Sequence, residues 1–99
     1  MNKKKIMVAF GTRPEAIKMA PLVHALKAEK RYFDVKVCVT SQHKHMLKQV
    51  LNIFEIKVDF DLKIMKPNQD LFSLSSTILI KMKKIFNFFK PNIVLVHGD

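Results

Sequence analysis

The apolar positions along this 99-residue chain change period several times, and each change marks the edge of an element. Residues 5–10 hold a nearly unbroken apolar run, Ile6-Met7-Val8-Ala9-Phe10, closed by Gly11. A short run without polar alternation predicts a strand covered on both faces, as in a parallel sheet. A helix is predicted next. Pro14 suits its first turn, where a missing N–H costs nothing, and Glu15 suits the positive end of its dipole. Met19, Leu22, Val23 and Leu26 then follow the i, i+3, i+4, i+7 spacing of one helical face. Pro21 interrupts that stretch and predicts a kink or a restart.

Val35, Val37 and Val39 alternate with Lys36, Cys38 and Thr40, which predicts a second strand less thoroughly buried than the first. Ser41 is placed to cap a second helix, whose inner face would be Met46, Leu47, Val50, Leu51 and Phe54. Residues 58–62 form a weaker third strand, and 63–69, with Pro67 and Asn68, a loop. Leu71, Leu74, Ser75, Ile78, Met82, Ile85, Phe86 and Phe89 give the strongest helical stripe, ended by Pro91. Ile93-Val94-Leu95-Val96 is a fourth strand.

The order β-α-β-α-β-α-β predicts an α/β fold, a parallel sheet with right-handed crossovers. It corresponds to the first half of a Rossmann-like doubly wound domain, so residues 1–99 are expected to be a partial N-terminal domain. The fourth strand has the composition of a central strand, and a chain that stops at its tip reads as interrupted. The other reading is a small four-stranded flavodoxin-like domain.

Composition narrows the function classes. With 48% hydrophobic and 26% charged residues, two glycines and four prolines, the chain is neither disordered nor of low complexity. The net charge of +10 comes almost entirely from lysine, Arg13 and Arg31 being the two arginines. The lysines are spread along the chain, with Lys81, Lys83 and Lys84 expected on an exposed helix face. No base-reading motif or aromatic stacking cluster accompanies them, so a solvated basic surface is favoured over nucleic-acid binding. Cys38 is the single cysteine, which excludes an intrachain disulfide and a cysteine metal site; it reads as a small core residue. The apolar run after Lys3, Lys4 and Lys5 is too short for a signal peptide. Lysines break the 71–89 stretch, so no membrane span is expected and a cytoplasmic location is.

In open parallel sheets, ligands bind beyond the carboxyl ends of the strands, where strand order reverses. Three polar clusters fall at such ends: residues 11–15, residues 41–43 and residues 97–99. In the first, Gly11 permits close backbone approach, Thr12 or Arg13 can cap the helix, and exposed N–H groups would attract an anion. Arg13 adds a permanent, fork-shaped cation suited to phosphate, and Lys18 a second charge about one turn further on. The pattern is neither a P-loop nor a G-x-G-x-x-G fingerprint. Asp99, in His97-Gly98-Asp99, could act as general acid or base or accept a sugar hydroxyl. Gln42 and His43 could contact a ligand. His24 and His45 are assigned no role, and the four histidines lack metal-ligand spacing. On the residues alone, a phosphate-binding module without catalysis and a basic nucleic-acid-binding domain stay open.

Residues 10–22, Phe-Gly-Thr-Arg-Pro-Glu-Ala-Ile-Lys-Met-Ala-Pro-Leu, closely resemble the start of the non-hydrolysing UDP-N-acetylglucosamine 2-epimerases. Val37-Cys38-Val39-Thr40-Ser41-Gln42-His43, Phe60-Asp61-Leu62 with Ile64-Met65, and residues 90–99 (Lys-Pro-Asn-Ile-Val-Leu-Val-His-Gly-Asp) resemble that family in order and spacing. The resemblance implies the N-terminal domain of a two-domain fold like the B-type glycosyltransferases, with the active site in the cleft between domains. It implies conversion of UDP-N-acetylglucosamine to UDP-N-acetylmannosamine: UDP is eliminated to a glycal and added back with C2 inverted. No cofactor or metal is needed, and the product would feed cell-surface polysaccharide biosynthesis. Arg13 would steady the UDP leaving group with Lys18 nearby, and Gly11, Thr12 and Glu15 would complete the substrate-binding loop. Asp99 matches an acidic residue tied to acid/base chemistry or sugar binding. Gln42 and His43 match a segment beside a second, regulatory UDP-N-acetylglucosamine site, where His45 replaces the glutamine of some members. A homodimer is implied for the full-length family. The family's later glutamates, arginine and histidine and its C-terminal UDP-binding domain would lie beyond residue 99, leaving this fragment inactive by itself.

Overall fold

The structure, a computed structural model, describes residues 3–40, 44–63 and 70–96. Its elements are β1 (Lys4–Phe10), α1 (Arg13–Ala28), β2 (Phe33–Val39), α2 (Lys44–Ile53), β3 (Phe60–Asp61), α3 (Leu71–Phe89) and β4 (Ile93–Val96). The order matches the alternation read from the sequence. All strands run parallel in one sheet, ordered β3-β2-β1-β4. The chain therefore steps outward from β1 to β3, then returns through α3 to the far side of β1. The order reverses between β1 and β4, where Ala9 pairs with Val96 on one side and Cys38 on the other.

The two-residue period of the strands divides the core. Ile6, Val8 and Phe10 point to one face with Val35, Val37 and Val39, packed against Ala16, Met19, Ala20 and Val23 of α1 and Leu47, Val50 and Leu51 of α2. Met7 and Cys38 point to the other face, packed with Leu62 and Phe89 under the half-buried Leu74, Ile78, Met82 and Ile85 of α3. Among the described residues no helix is long and apolar enough to cross a membrane.

The structure revises several expectations. α1 runs unbroken from Arg13 to Ala28 across Pro21, without a restart. Pro21 and Ile17 both face solvent, so water can take the Ile17 carbonyl that Pro21 leaves without a donor. The packed stripe of α1 is centred on Ala16 and Ala20, while Leu22 is 37% exposed; small residues let the helix lie close to the sheet. The second strand is not the less buried one at its carboxyl end: Val37, Cys38 and Val39 are all buried, because β2 lies between β1 and β3. Phe54 falls beyond the end of α2 and is exposed.

The third strand shortens from 58–62 to Phe60–Asp61 because a side chain takes over its start. The Val37 N–H donates to Asp59 Oδ2 at 2.8 Å, while the Asp59 N–H donates to the Val37 carbonyl at 2.9 Å. On α3, Leu71, Ser75 and Phe86 fall off the buried stripe. Lys83 and Lys84 are exposed as expected, but Lys81 is half-buried and its Nζ donates to the Leu62 carbonyl at 2.5 Å. Asp70 caps α3 by accepting from the Ser73 N–H at 2.6 Å. Lys90 ends the helix in a left-handed conformation at φ 54°. In this chain β4 is an edge strand, with Val96 70% exposed. Its start is clamped by Asn92, which accepts from and donates to the Lys5 backbone at 2.8 and 2.7 Å.

Candidate functional site

The reversal of strand order places the end of β1 at the centre of the carboxyl edge, and residues 11–15 occupy it. Gly11 is buried with a negative φ, so its value there is the absent side chain rather than a left-handed turn. Thr12 is extended (φ −123°, ψ 166°) and forms the N-cap of α1, with Pro14 in the first turn. Arg13 opens the helix and is exposed, which leaves its guanidinium free to meet a ligand from solvent.

Glu15 changes the expected chemistry of this loop. Its Oε1 accepts from the Gly11 N–H at 3.0 Å and from the Thr12 N–H at 2.9 Å. The sequence suggests exposed amides awaiting an anion; the structure fills them with the chain's own carboxylate. The spacing that produces this is the capping box, in which an acidic residue three positions after the N-cap reaches back to its backbone.

Lys18 is exposed. At about 100° per residue it lies across α1 from the buried Ala16, Met19, Ala20 and Val23. Its ammonium therefore stands on the outer side of the helix, while Arg13 stands at its tip.

Between the loop and α3 lies an open cavity of about 280 Å³, lined by Gly11, Glu15, Cys38, Thr40, Ile78 and Met82 among others. Burial pushes the Cys38 thiol up to about 11, with the Asp61 carboxylate adding to the shift. Its Sγ lies 3.8 Å from Met82 Sδ. This thiol is protonated at neutral pH, a wall of the cavity and not a nucleophile. The Thr40 hydroxyl is buried with no hydrogen-bond partner among the described residues.

Gln42, His43, His97, Gly98 and Asp99 lie outside the described residues, as does Ser41. The described residues that precede these two segments are Thr40, whose N–H donates to the Phe10 carbonyl at 3.2 Å, and Val96, which pairs with Ala9. His24, given no role by the sequence, ties α1 to the turn that follows α2: its Nε2 is 2.6 Å from the Phe54 carbonyl. No group of three His, Cys, Asp or Glu among the described residues could hold a metal. A second cavity, of about 220 Å³, opens at the opposite end of the sheet, where Lys3, Lys27 and Lys30 surround Phe33, Asp34 and Val35.

Comparison with known proteins places this geometry. A family model described as UDP-N-acetylglucosamine 2-epimerase matches residues 24–99. The UDP-N-acetylglucosamine 2-epimerase of Campylobacter jejuni is 59% identical over 96 residues, covering 97% of this chain and 25% of that protein. The crystal structure of a putative UDP-N-acetylglucosamine 2-epimerase from Listeria monocytogenes superposes with a TM-score of 0.92 at 52% identity, over 100% of this chain and 26% of that one. The Neisseria meningitidis UDP-GlcNAc 2-epimerase, crystallised with UDP-GlcNAc, superposes with a TM-score of 0.87 at 52% identity, over 96% and 26% of the two chains. This chain spans about a quarter of the length of these relatives. Residues 1–99 correspond to the N-terminal portion of such an epimerase, and the chain belongs to the UDP-N-acetylglucosamine 2-epimerase family.

Proposed function

We propose that this chain forms the N-terminal wall of a UDP-sugar cleft, in an enzyme that interconverts UDP-N-acetylglucosamine and UDP-N-acetylmannosamine. The observation that carries the reading is the placement of residues 11–15. They sit at the carboxyl end of β1, where strand order reverses, with Arg13 exposed at the tip of α1. A guanidinium there can make paired, charge-assisted hydrogen bonds to a diphosphate. Relatives whose solved structures hold UDP-GlcNAc or UDP lend support.

In the proposed reaction the proton leaves C2 and the C1–O bond to UDP breaks, giving a glycal. The proton then returns to the opposite face of C2 as the UDP oxygen re-forms the bond to C1. Arg13 holds the departing diphosphate, which lowers the barrier to the step that creates its charge. Gly11 and Thr12 shape the loop, and Lys18 contributes long-range positive potential from the outer face of α1. Asp99 serves as acid/base or sugar ligand, and Gln42 and His43 lie by a regulatory UDP-sugar site.

Residues 1–99 are then part of one Rossmann-like domain, completed by the rest of that domain and a C-terminal UDP-binding domain. The full-length enzyme is a cytoplasmic homodimer that uses no cofactor. The 99-residue chain alone should bind UDP weakly and give no epimerisation. Incubating it with UDP-N-acetylglucosamine and following the UDP-N-acetylmannosamine signal by NMR tests this. Turnover by the isolated chain would overturn the division of labour proposed.

A further inference from the structure

We infer that Glu15 is a positioning residue: its carboxylate is the anion that the Gly11 and Thr12 amides hold, and so it assigns an incoming phosphate to Arg13. Two adjacent N–H groups converge on one oxygen at 3.0 and 2.9 Å. Successive amides arranged in this way form a concavity that suits an anion, and a charged acceptor strengthens the bonds they make. The carboxylate reaches them from three and four residues away, so its effective concentration is far above that of any free anion. A phosphate competing for the same donors must displace a tethered group and bear its negative charge at close range.

Glu15 also lines the cavity beside the loop, so the repulsion extends into the space a ligand enters. Arg13, exposed at the first position of α1 and next in sequence to those amides, is the permanent cation of the loop. Holding Gly11 and Thr12 in place fixes the direction from which Arg13 leaves the helix start. Glu15 thus excludes small inorganic anions from the loop and orients the cation that meets a nucleoside diphosphate.

The inference rests on the reading of this edge as the UDP-facing wall, yet its test separates from that reading. Inorganic phosphate is titrated into the isotope-labelled chain, and the Gly11 and Thr12 amide resonances are followed. In the wild type they should stay fixed, and in Glu15→Gln, which keeps an acceptor oxygen, they should stay fixed too. In Glu15→Ala they should shift saturably, with phosphate affinity raised about tenfold, the scale of one charge-assisted hydrogen bond. Saturable shifts of both amides in the wild type would overturn the inference. So would Glu15→Ala that is destabilised without any gain in phosphate response, since that marks a purely structural residue. Should Glu15→Ala fail to fold, Glu15→Ser, whose hydroxyl is too short to reach both amides, takes its place: a saturable phosphate shift at Gly11 and Thr12 upholds the inference, and its absence refutes it. A parallel titration with UDP that leaves Arg13 unmoved counts against the proposed function alone.

Discussion

The two ends of the sheet invite opposite expectations. The amino end gathers Lys3, Lys27 and Lys30 around a cavity of about 220 Å³. The carboxyl end has a cavity of about 280 Å³ whose charged lining residue is Glu15, and Arg13 is exposed at the start of the helix that carries it. Charge counting alone would send an anionic ligand to the amino end. Topology sends it to the carboxyl end, where crossovers bring loops together and the strand order reverses. Three lysines on long chains, Lys27 half-buried and the others exposed, raise the local potential without fixing any geometry. One arginine at the start of a helix, beside a loop clasped by its own carboxylate, fixes a direction. A net charge of +10 is therefore a property of the surface, and the site is a property of the backbone.

This contrast can be broken or sharpened in four ways. The largest effect concerns the cavity wall at the carboxyl end. Cys38 has its pKa moved from 9.0 to about 11, so at any pH below 9 it holds about a hundredfold less thiolate than a free thiol. Modification by a disulfide reagent should be strongly slowed, by the lost thiolate and by burial of the sulfur together, and unfolding in denaturant should restore the ordinary rate. Next comes the ligand. Arg13→Ala should weaken UDP binding by about tenfold or more, from the loss of charge-assisted hydrogen bonds, whereas Lys27→Ala or Lys30→Ala should change it by less than about twofold. Calorimetric titration at fixed ionic strength separates the two.

The third effect is on stability. Glu15→Ala removes the acceptor for two loop amides and should cost about 1–2 kcal/mol of unfolding free energy. Its counterpart at the amino end, Asp34→Ala, breaks a pair with Lys36 that is 4.0 Å long and well exposed. That change should cost less than about 1 kcal/mol in urea unfolding. The smallest effect is the pH response of the α3 cap. The Ser73 N–H holds the Asp70 carboxylate below its ordinary 3.8. A lowered folded pKa means the cap's contribution is fully present above that value and is lost as pH falls through the folded value. Asp70→Asn, which keeps an acceptor but does not titrate, should flatten that part of the stability profile.

Much of the fold was legible because period alone settles it. The uninterrupted run at residues 6–10 became the doubly covered β1, and the stripe through Leu74, Ile78, Met82 and Ile85 became the inner face of α3. What escaped was set by side chains acting as backbone. Asp59 replaces part of a strand, Asn92 clamps the start of β4, and Lys81 caps the end of β3 instead of facing water. A pattern of apolar positions carries no signal for a carboxylate or amide that joins the hydrogen-bond ladder. β4 has the composition of a central strand and stands at the edge of the four strands seen here, in keeping with the reading of residues 1–99 as the first part of a larger sheet.

The loop of residues 11–15 was found, but its electrostatics were inverted. The acid at position 15 was read through the helix dipole, and the same capping-box spacing held the signal that it would reach back to Gly11 and Thr12. Lys18 illustrates the reverse limit, since nearness in sequence put it beside Arg13 while the helical turn carries it to the outer face.

Mapping UDP onto the labelled chain tests the central claim most directly. The account predicts saturable shifts at Arg13 and around the carboxyl ends of β1 and β4, lost in Arg13→Ala. Shifts centred on Lys3, Lys27 and Lys30, unchanged in Arg13→Ala, would contradict it.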